Sequence, residues 1–216
     1  MNIILFGPPG AGKGTQADRL VKNFNLFKVS TGDLLRHEIN NKSKLGLKIK
    51  SVIDKGLFVS DDIIKDLIEK ILTKKDLFNR LIFDGYPRNI NQAESLDLLM
   101  KKYNQNISCV LSLNVDKDSI IKRVLGRQAC SKCGLTFNEY FYPSTEVNHL
   151  CESKFLLKRT DDNEKTIIRR FKTYTNETLP ILDFYNMKKL LHQINGMREI
   201  DEIYEEIQGI ITALET

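Results

Sequence analysis

The chain lacks any apolar run near the roughly 20 residues that a helix needs to cross a bilayer, so no transmembrane helix is expected. It also lacks a basic, apolar leader. One extended apolar segment at residues 2–6 enters a glycine loop at once, and the sequence therefore predicts a cytoplasmic protein without membrane contact. No internal repeat and no low-complexity tract interrupts the 216 residues, a length that suits one large domain or one domain with small insertions. A concentrated Lys/Arg block is missing as well. The 33 basic and 28 acidic residues, net +5, are spread along the whole length, as on a solvated surface that favours anionic small molecules rather than nucleic acid. Cysteine is scarce, with four residues at Cys109, Cys130, Cys133 and Cys151. Without an export signal these are expected to be free or metal-bound, not disulfide-bonded.

What is present is an alternation. Short apolar runs at 2–6, 27–30, 81–84, 110–115 and 191–195 read as strands of a mostly parallel sheet. Amphipathic stretches at 13–24, 32–40, 60–72, 91–103, 118–125, 164–178 and 199–214 read as helices between them. Ser60, followed by Asp61 and Asp62, reads as an N-cap with acids at the positive end of a helix. Two stretches break the alternation. Residues 31–59 are polar and helical, and residues 126–162 mix cysteines, aromatics and turn formers as a β-rich insertion would. The expected class is α/β: a core of residues 1–30, 60–125 and 163–216, a helical module at 31–59 and a β-rich module at 126–162.

Between the first strand and the first helix lies Gly7-Pro8-Pro9-Gly10-Ala11-Gly12-Lys13-Gly14-Thr15. Glycines let successive backbone N–H groups curl around phosphate oxygens, the following helix adds its positive end, and Lys13 supplies a mobile charge for the β- and γ-phosphates. Such a loop binds a nucleoside triphosphate. Gly14 departs from the common pattern, because the hydroxyl that ordinarily follows the lysine and ligates Mg²⁺ is absent, and Thr15 comes one residue later. Mg²⁺ is then expected to be held mostly by phosphates and waters, with Asp84, at the end of an apolar strand, orienting those waters.

A second set of residues speaks to a second phosphate. "STGDLLR" at 30–36 contains Thr31 and Asp33, suited to cap a helix, and Arg36 one turn on. "FDGYPR" at 83–88 ends on Arg88 where parallel strands form a ligand crevice, and Gln92 follows one turn later. Arginines recur at 123, 127, 159, 169 and 170. Phosphoryl transfer needs such groups, since charge spreads over the oxygens in flight and the protein's task is positioning and screening.

These motifs, in this order and spacing, resemble adenylate kinase, and more narrowly its bacterial form with an extended lid, a P-loop kinase acting on ATP and AMP to give ADP. The similarity runs essentially the full length. It implies a P-loop NTPase core with a five-stranded parallel sheet, a nucleoside monophosphate module at 31–59 and a lid at 126–162. It further implies a phosphate loop of Gly10, Ala11, Gly12, Lys13, Gly14 and Thr15. AMP would sit against Thr31, Arg36, Leu57, Phe58, Val59, Gly85, Tyr86, Pro87, Arg88 and Gln92. Arg123 and Arg127 would reach ATP, with Thr136 and Phe137 near the lid base, while Arg159 and Arg170 would grip the transferred group and AMP. Asp161 and Asp162 would tie down the closed lid, and the backbone near Arg198 would hold the adenine of ATP. Asn195 stands where the family usually carries Asp. By family habit the protein would be a monomer.

Cys130-Ser-Lys-Cys133-Gly134 has the form of a zinc knuckle, but only Cys151 follows where a second CxxC is expected. Two readings stay open: Zn²⁺ on Cys130, Cys133 and Cys151 with His149 or Glu152 as the fourth ligand, or a metal-free knuckle held by packing. Cys109, on a strand, reads as a small core residue.

Overall fold

Continuous apolar runs bounded by glycine and polar turns suit buried strands, and apolar residues every three to four positions suit helices. The computed structural model of the chain, which describes residues 1–41, 43–54, 59–145, 149–158 and 162–215, follows that logic from the start. Strand β1 (Ile3–Phe6) leads through the glycine loop into helix α1 (Lys13–Phe24), and β2 (Phe27–Ser30) runs directly into α2 (Thr31–Asn40). After α3 (Lys44–Asp54) and α4 (Asp61–Leu72) come β3 (Leu81–Asp84), α5 (Ile90–Lys102), β4 (Cys109–Asn114) and α6 (Lys117–Leu125). Three short strands follow, β5 (Arg127–Cys130), β6 (Thr136–Asn138) and β7 (Leu156–Leu157). The chain closes with α7 (Glu164–Thr173), α8 (Ile181–Met187), β8 (Leu191–Asn195) and α9 (Ile200–Glu215).

Five strands form a parallel sheet in the order β2-β3-β1-β4-β8. Side chains alternate across each strand. Ile4, Phe6, Val29, Leu81 and Phe83 pack with residues of α4, α5 and α8, while Ile3, Leu5, Ile82 and Leu111 pack with residues of α1 and α9. Two covered faces are why these strands read as unbroken apolar runs. Each such buried side chain contributes roughly 1.5–3 kcal/mol. Asp84 ends the run on the α1 face, in register with Leu5 of β1 and Ser30 of β2. That places a carboxylate at the carboxyl edge of the sheet beside its central strand, where ligands of open α/β sheets bind. The β5, β6 and β7 strands form a separate antiparallel sheet in the order β6-β5-β7, between α6 and α7. The α/β class with a β-rich insertion is thus present.

Local details differ from expectation. The fourth strand runs from Cys109 to Asn114, one residue earlier at each end. The helical pattern at 164–178 is not uniform: α7 ends at Thr173 and Tyr174–Thr178 widen into a turn of π-helix. Helix α8 was not expected, because its seven residues are too few for the helical period to register. Helix α2 is capped by Ser30, whose Oγ accepts the Asp33 N–H at 3.3 Å, and not by Thr31 or Asp33. Ser60 holds the N-cap position of α4 without a side-chain capping bond, although Asp61 and Asp62 do occupy its first turn. Cys109 is buried in the core, its thiol pushed up to about 12 by that burial. No helix among the described residues is long and apolar enough to cross a membrane.

Candidate active site

The loop after β1 is shaped by close packing. Gly10 has φ 84° and approaches α6 so closely that a Cβ there would lie 2.5 Å from Val124 Cγ2. Only glycine meets both demands. Helix α1 begins directly after Gly12 with no acid in its first turn, so its N–H groups present an uncancelled positive end. Lys13 folds over the loop, its Nζ donating to the Gly7 carbonyl at 2.6 Å and the Pro8 carbonyl at 2.9 Å. Its pKa is pushed down to about 8, first by burial, and further by Arg170, Arg88 and Arg127, with Asp84 pulling the other way. Cation repulsion and desolvation therefore outweigh the nearby carboxylate, and an anion entering here relieves both. Ala11 is buried behind the loop, while Gly14 and Thr15 lie in the first turn of α1.

The second cluster lies across the crevice. Gly85, at φ 74°, turns the chain after β3, and Tyr86 buries its ring against Phe83 with centroids 6.4 Å apart. The Tyr86–Pro87 peptide is cis. Arg88 Nε donates to the Gly85 carbonyl at 2.8 Å, and its Nη2 reaches Thr31 Oγ1 at 3.4 Å, so two strand ends position one guanidinium. Taken whole, the residue is exposed. Desolvation, then Arg170 and Arg36, lower its pKa against Asp84. Arg36 itself is exposed and paired with Asp33 at 2.5 Å, lying over Gly32. Gln92 is fully engaged in support: its Oε1 accepts the Arg88 N–H at 2.8 Å and its Nε2 donates to Asp61 at 2.6 Å. Val59 packs against the core cluster beside it.

At the β-rich insertion, Arg127 forms a two-pronged pair with Asp162, Nε to Oδ2 at 2.8 Å and Nη2 to Oδ1. The Asp162 side chain is 1% exposed, so this pair is a true buried link between β5 and the approach to α7. Arg123 stacks over the Phe141 ring at 5.8 Å, with desolvation lowering its pKa against Asp116 and Glu199. Thr136 is half-buried, and the Phe137 ring is enclosed between Tyr142 and His149. Arg198 bonds Glu206 at 3.0 Å, and the turn before it is set by Asn195, whose Oδ1 accepts the Met197 N–H at 3.0 Å. An aspartate would accept the same bond, which is why Asn195 serves there. Gly196 bonds the Asn114 carbonyl at 2.9 Å so tightly that a Cβ would meet Val115 Cγ2 at 2.6 Å. Leu57, Phe58, Arg159 and Asp161 lie outside the described residues.

The cysteines converge. Cys130, Cys133, His149 and Cys151 bring their ligand atoms within 4.8 Å of one another, with Cys133 Sγ 3.4 Å from His149 Nε2. Burial alone would raise the Cys130 thiol, but N–H groups of Cys133 and Lys132 draw it down to about 6. Burial and the neighbouring thiols push Cys151 up to about 11.

Two further residues carried no sequence signal. Thr178 Oγ1, in the π-turn, donates to the Arg88 carbonyl at 2.8 Å and so ties the end of α7 to the second cluster. Lys28, on β2, reaches Asp84 at 3.9 Å.

Backbone amides, a helix end and a lysine aimed at one spot are means of holding a polyphosphate, and on this sheet they define a P-loop nucleotide-binding protein. A second cationic cluster beside the first narrows the class, and comparison with known proteins narrows it further. A family model for adenylate kinase matches residues 5–190. An adenylate kinase of Pelagibacter ubique (strain HTCC1062) is 47% identical over 211 residues, covering 98% of this chain and 99% of its own. Those of Alkaliphilus oremlandii (40% identical, 96% of each chain) and Methanosarcina barkeri (39% identical, 98% of each chain) align over nearly their whole length. The chain belongs to the adenylate kinase family.

Proposed function

We propose that the chain transfers the γ-phosphoryl group of MgATP reversibly to AMP, giving two ADP. The observation that carries this is the gathering of Lys13, Arg88 and Arg170 at a single crevice, close enough that Arg170 lowers the proton affinity of both Lys13 and Arg88. One polyphosphate site needs the loop alone; an arginine cluster across from it suits an acceptor phosphate. The amides of Gly10, Ala11, Gly12, Gly14 and Thr15 hold the donor phosphates. Lys13 exchanges its loop carbonyls for β- and γ-oxygens. Thr31, Arg36, Val59, Gly85, Arg88 and Gln92, with Leu57 and Phe58, frame AMP, Gln92 acting through the Arg88 backbone. Arg123, Arg127, Arg159 and Arg170 screen the group in flight, and the backbone near Arg198 and the base of the lid near Thr136 and Phe137 hold the ATP nucleoside.

No side chain acts as a nucleophile, because the AMP phosphate attacks directly. Water is the competing acceptor. Residues 31–59 close on AMP and residues 126–162 on ATP, with Asp161 and Asp162 anchoring the lid arginines, so the screening groups arrive as water leaves. By family habit it would act as a cytoplasmic monomer. The decisive assay follows ADP from ATP with AMP, and with each other monophosphate in turn. ATP binding without affinity for any monophosphate, or phosphate release independent of an acceptor, would overturn the reading.

Mg²⁺ fits the crevice through hard oxygen donors. The Asp84 carboxylate, 16% exposed, faces the start of α1, where a Cβ on Gly14 would lie 4.0 Å from its Oδ2. Asp84 would orient metal-bound waters, and the bound ion would neutralise charge on the β- and γ-phosphates. Zn²⁺ fits the lid: three thiols and one imidazole suit a tetrahedral structural site. Cys130, Cys133, His149 and Cys151 would hold it, and it would crosslink β5 to the segment before β7. Protein purified without chelator is expected to carry about one equivalent of zinc, and His149→Ala most of an equivalent less. Less than about a tenth of an equivalent in the parent protein would remove the metal from this account.

The Lys13 pKa of about 8 has its own consequence. Phosphate oxygens favour the charged ammonium and raise that value, so above about pH 8 ATP binding takes up a proton and weakens as pH rises. Below about pH 7 Lys13 is already charged and uptake vanishes. Calorimetry in buffers of different ionisation enthalpy measures this directly.

A further inference from the structure

Lys28 stands on the α1 face of edge strand β2, where its Nζ lies 2.8 Å from Asp18 Oδ1 and 3.9 Å from Asp84 Oδ2. Its side chain is 24% exposed, against 16% for Asp84 and 50% for Asp18. The ammonium is therefore shared between an outer, solvated carboxylate and an inner, sheltered one. A Cβ on Gly14 would sit 4.0 Å from both the Lys28 ammonium and the Asp84 carboxylate, so the bare glycine leaves that corner of the loop to this pair. Asp84 also pulls on Lys13. The carboxylate assigned to the metal waters thus faces two lysines, and a hydrated divalent cation must compete with both.

We propose that Lys28 is a positioning residue that holds the place of the metal at Asp84 and sets how strongly Mg²⁺ couples to ATP binding. The inference rests on the reading of Asp84 as the carboxylate that orients the metal's waters. With Lys28 against it, Asp84 is partly neutralised and attracts a bare divalent ion poorly. When the ion arrives with the triphosphate, the two cations repel, and Asp18 offers the ammonium a seat away from the crevice. The metal then enters and leaves with its nucleotide instead of remaining on the protein. A unit charge at about 4 Å in half-solvated surroundings shifts such an equilibrium severalfold, and less at high salt.

The test is the ratio of ATP dissociation constants measured by calorimetry without and with Mg²⁺, which reports the coupling between metal and nucleotide on the protein. Lys28→Gln is expected to strengthen the coupling about three- to tenfold, and Asp18→Asn to weaken it about twofold or more, because the ammonium then rests wholly on Asp84. Asp84→Asn should weaken it as well. A lysine that merely braced β2 would not give opposite signs at positions 28 and 18, and thermal melting confirms that each variant is folded. Any other pair of signs, with Asp84→Asn still weakening the coupling, overturns the role of Lys28 and leaves Asp84 in place. An unchanged ratio in Asp84→Asn overturns the reading of Asp84 and this inference together.

Discussion

Replacing Lys13 with methionine is expected to slow single-turnover phosphoryl transfer about a thousandfold while changing AMP affinity only about threefold. In the proposed mechanism the side chain ends where charge develops on the transferred group, and its Nζ is gathered by two loop carbonyls at 2.6 and 2.9 Å. Methionine keeps the length and packs in the same space, so the loop should survive while its charge is lost. Because Lys13 shares the crevice with Arg88, Arg127 and Arg170, removing it also relieves repulsion among them. ATP binding should therefore fall much less than the rate. Rapid-quench transfer within about threefold of the parent rate would remove Lys13 from the chemistry.

Arg88→Lys is expected to lower the rate of transfer about a hundredfold even though the charge is kept. The guanidinium uses Nε on the Gly85 carbonyl and Nη2 toward Thr31 Oγ1, so its plane is fixed before any substrate arrives. A lysine ammonium cannot hold that turn and present a fork to two phosphate oxygens at once. The loss should fall on kcat more than on KM for AMP, since a point charge still attracts the acceptor. An unchanged kcat with a raised KM would make Arg88 a binding residue only.

The parts of this site that were legible in the sequence are those whose meaning lies within a few residues. The loop at Gly7–Thr15 is proposed to bind with its own backbone, and its setting between a strand and a helix is visible in composition. Asp84 was legible because it breaks an apolar run at a strand end, and Arg88 because it follows that same edge. Gln92 is expected one turn after Arg88 to face AMP, yet its amide bonds the Arg88 N–H and Asp61, 31 residues away. Thr178 was invisible, since its partner is 90 residues earlier and a threonine closing a helical run gives no pattern. Lys28 looked like one more surface cation. For the fourth member of the cysteine cluster the sequence offers His149 or Glu152, and the fold brings His149, two residues before Cys151, into the cluster. The doubly covered sheet was readable in unbroken runs such as Leu81–Phe83; the short α8 and the π-turn were not, because their register comes from packing and not from local periodicity.

The Asn195-Gly196 step bears on how the protein ages. Asparagine followed by glycine is the pair most prone to spontaneous loss of its side-chain amide, through attack by the next backbone nitrogen to form a cyclic imide. Here that nitrogen is tied to the Asn114 carbonyl, the glycine leaves no room for a Cβ beside Val115, and the side-chain oxygen accepts the Met197 N–H. Ring closure would require tearing this turn off the edge of the sheet. The folded chain thus shelters a chemically fragile pair, and that wear falls mainly on molecules that have already unfolded.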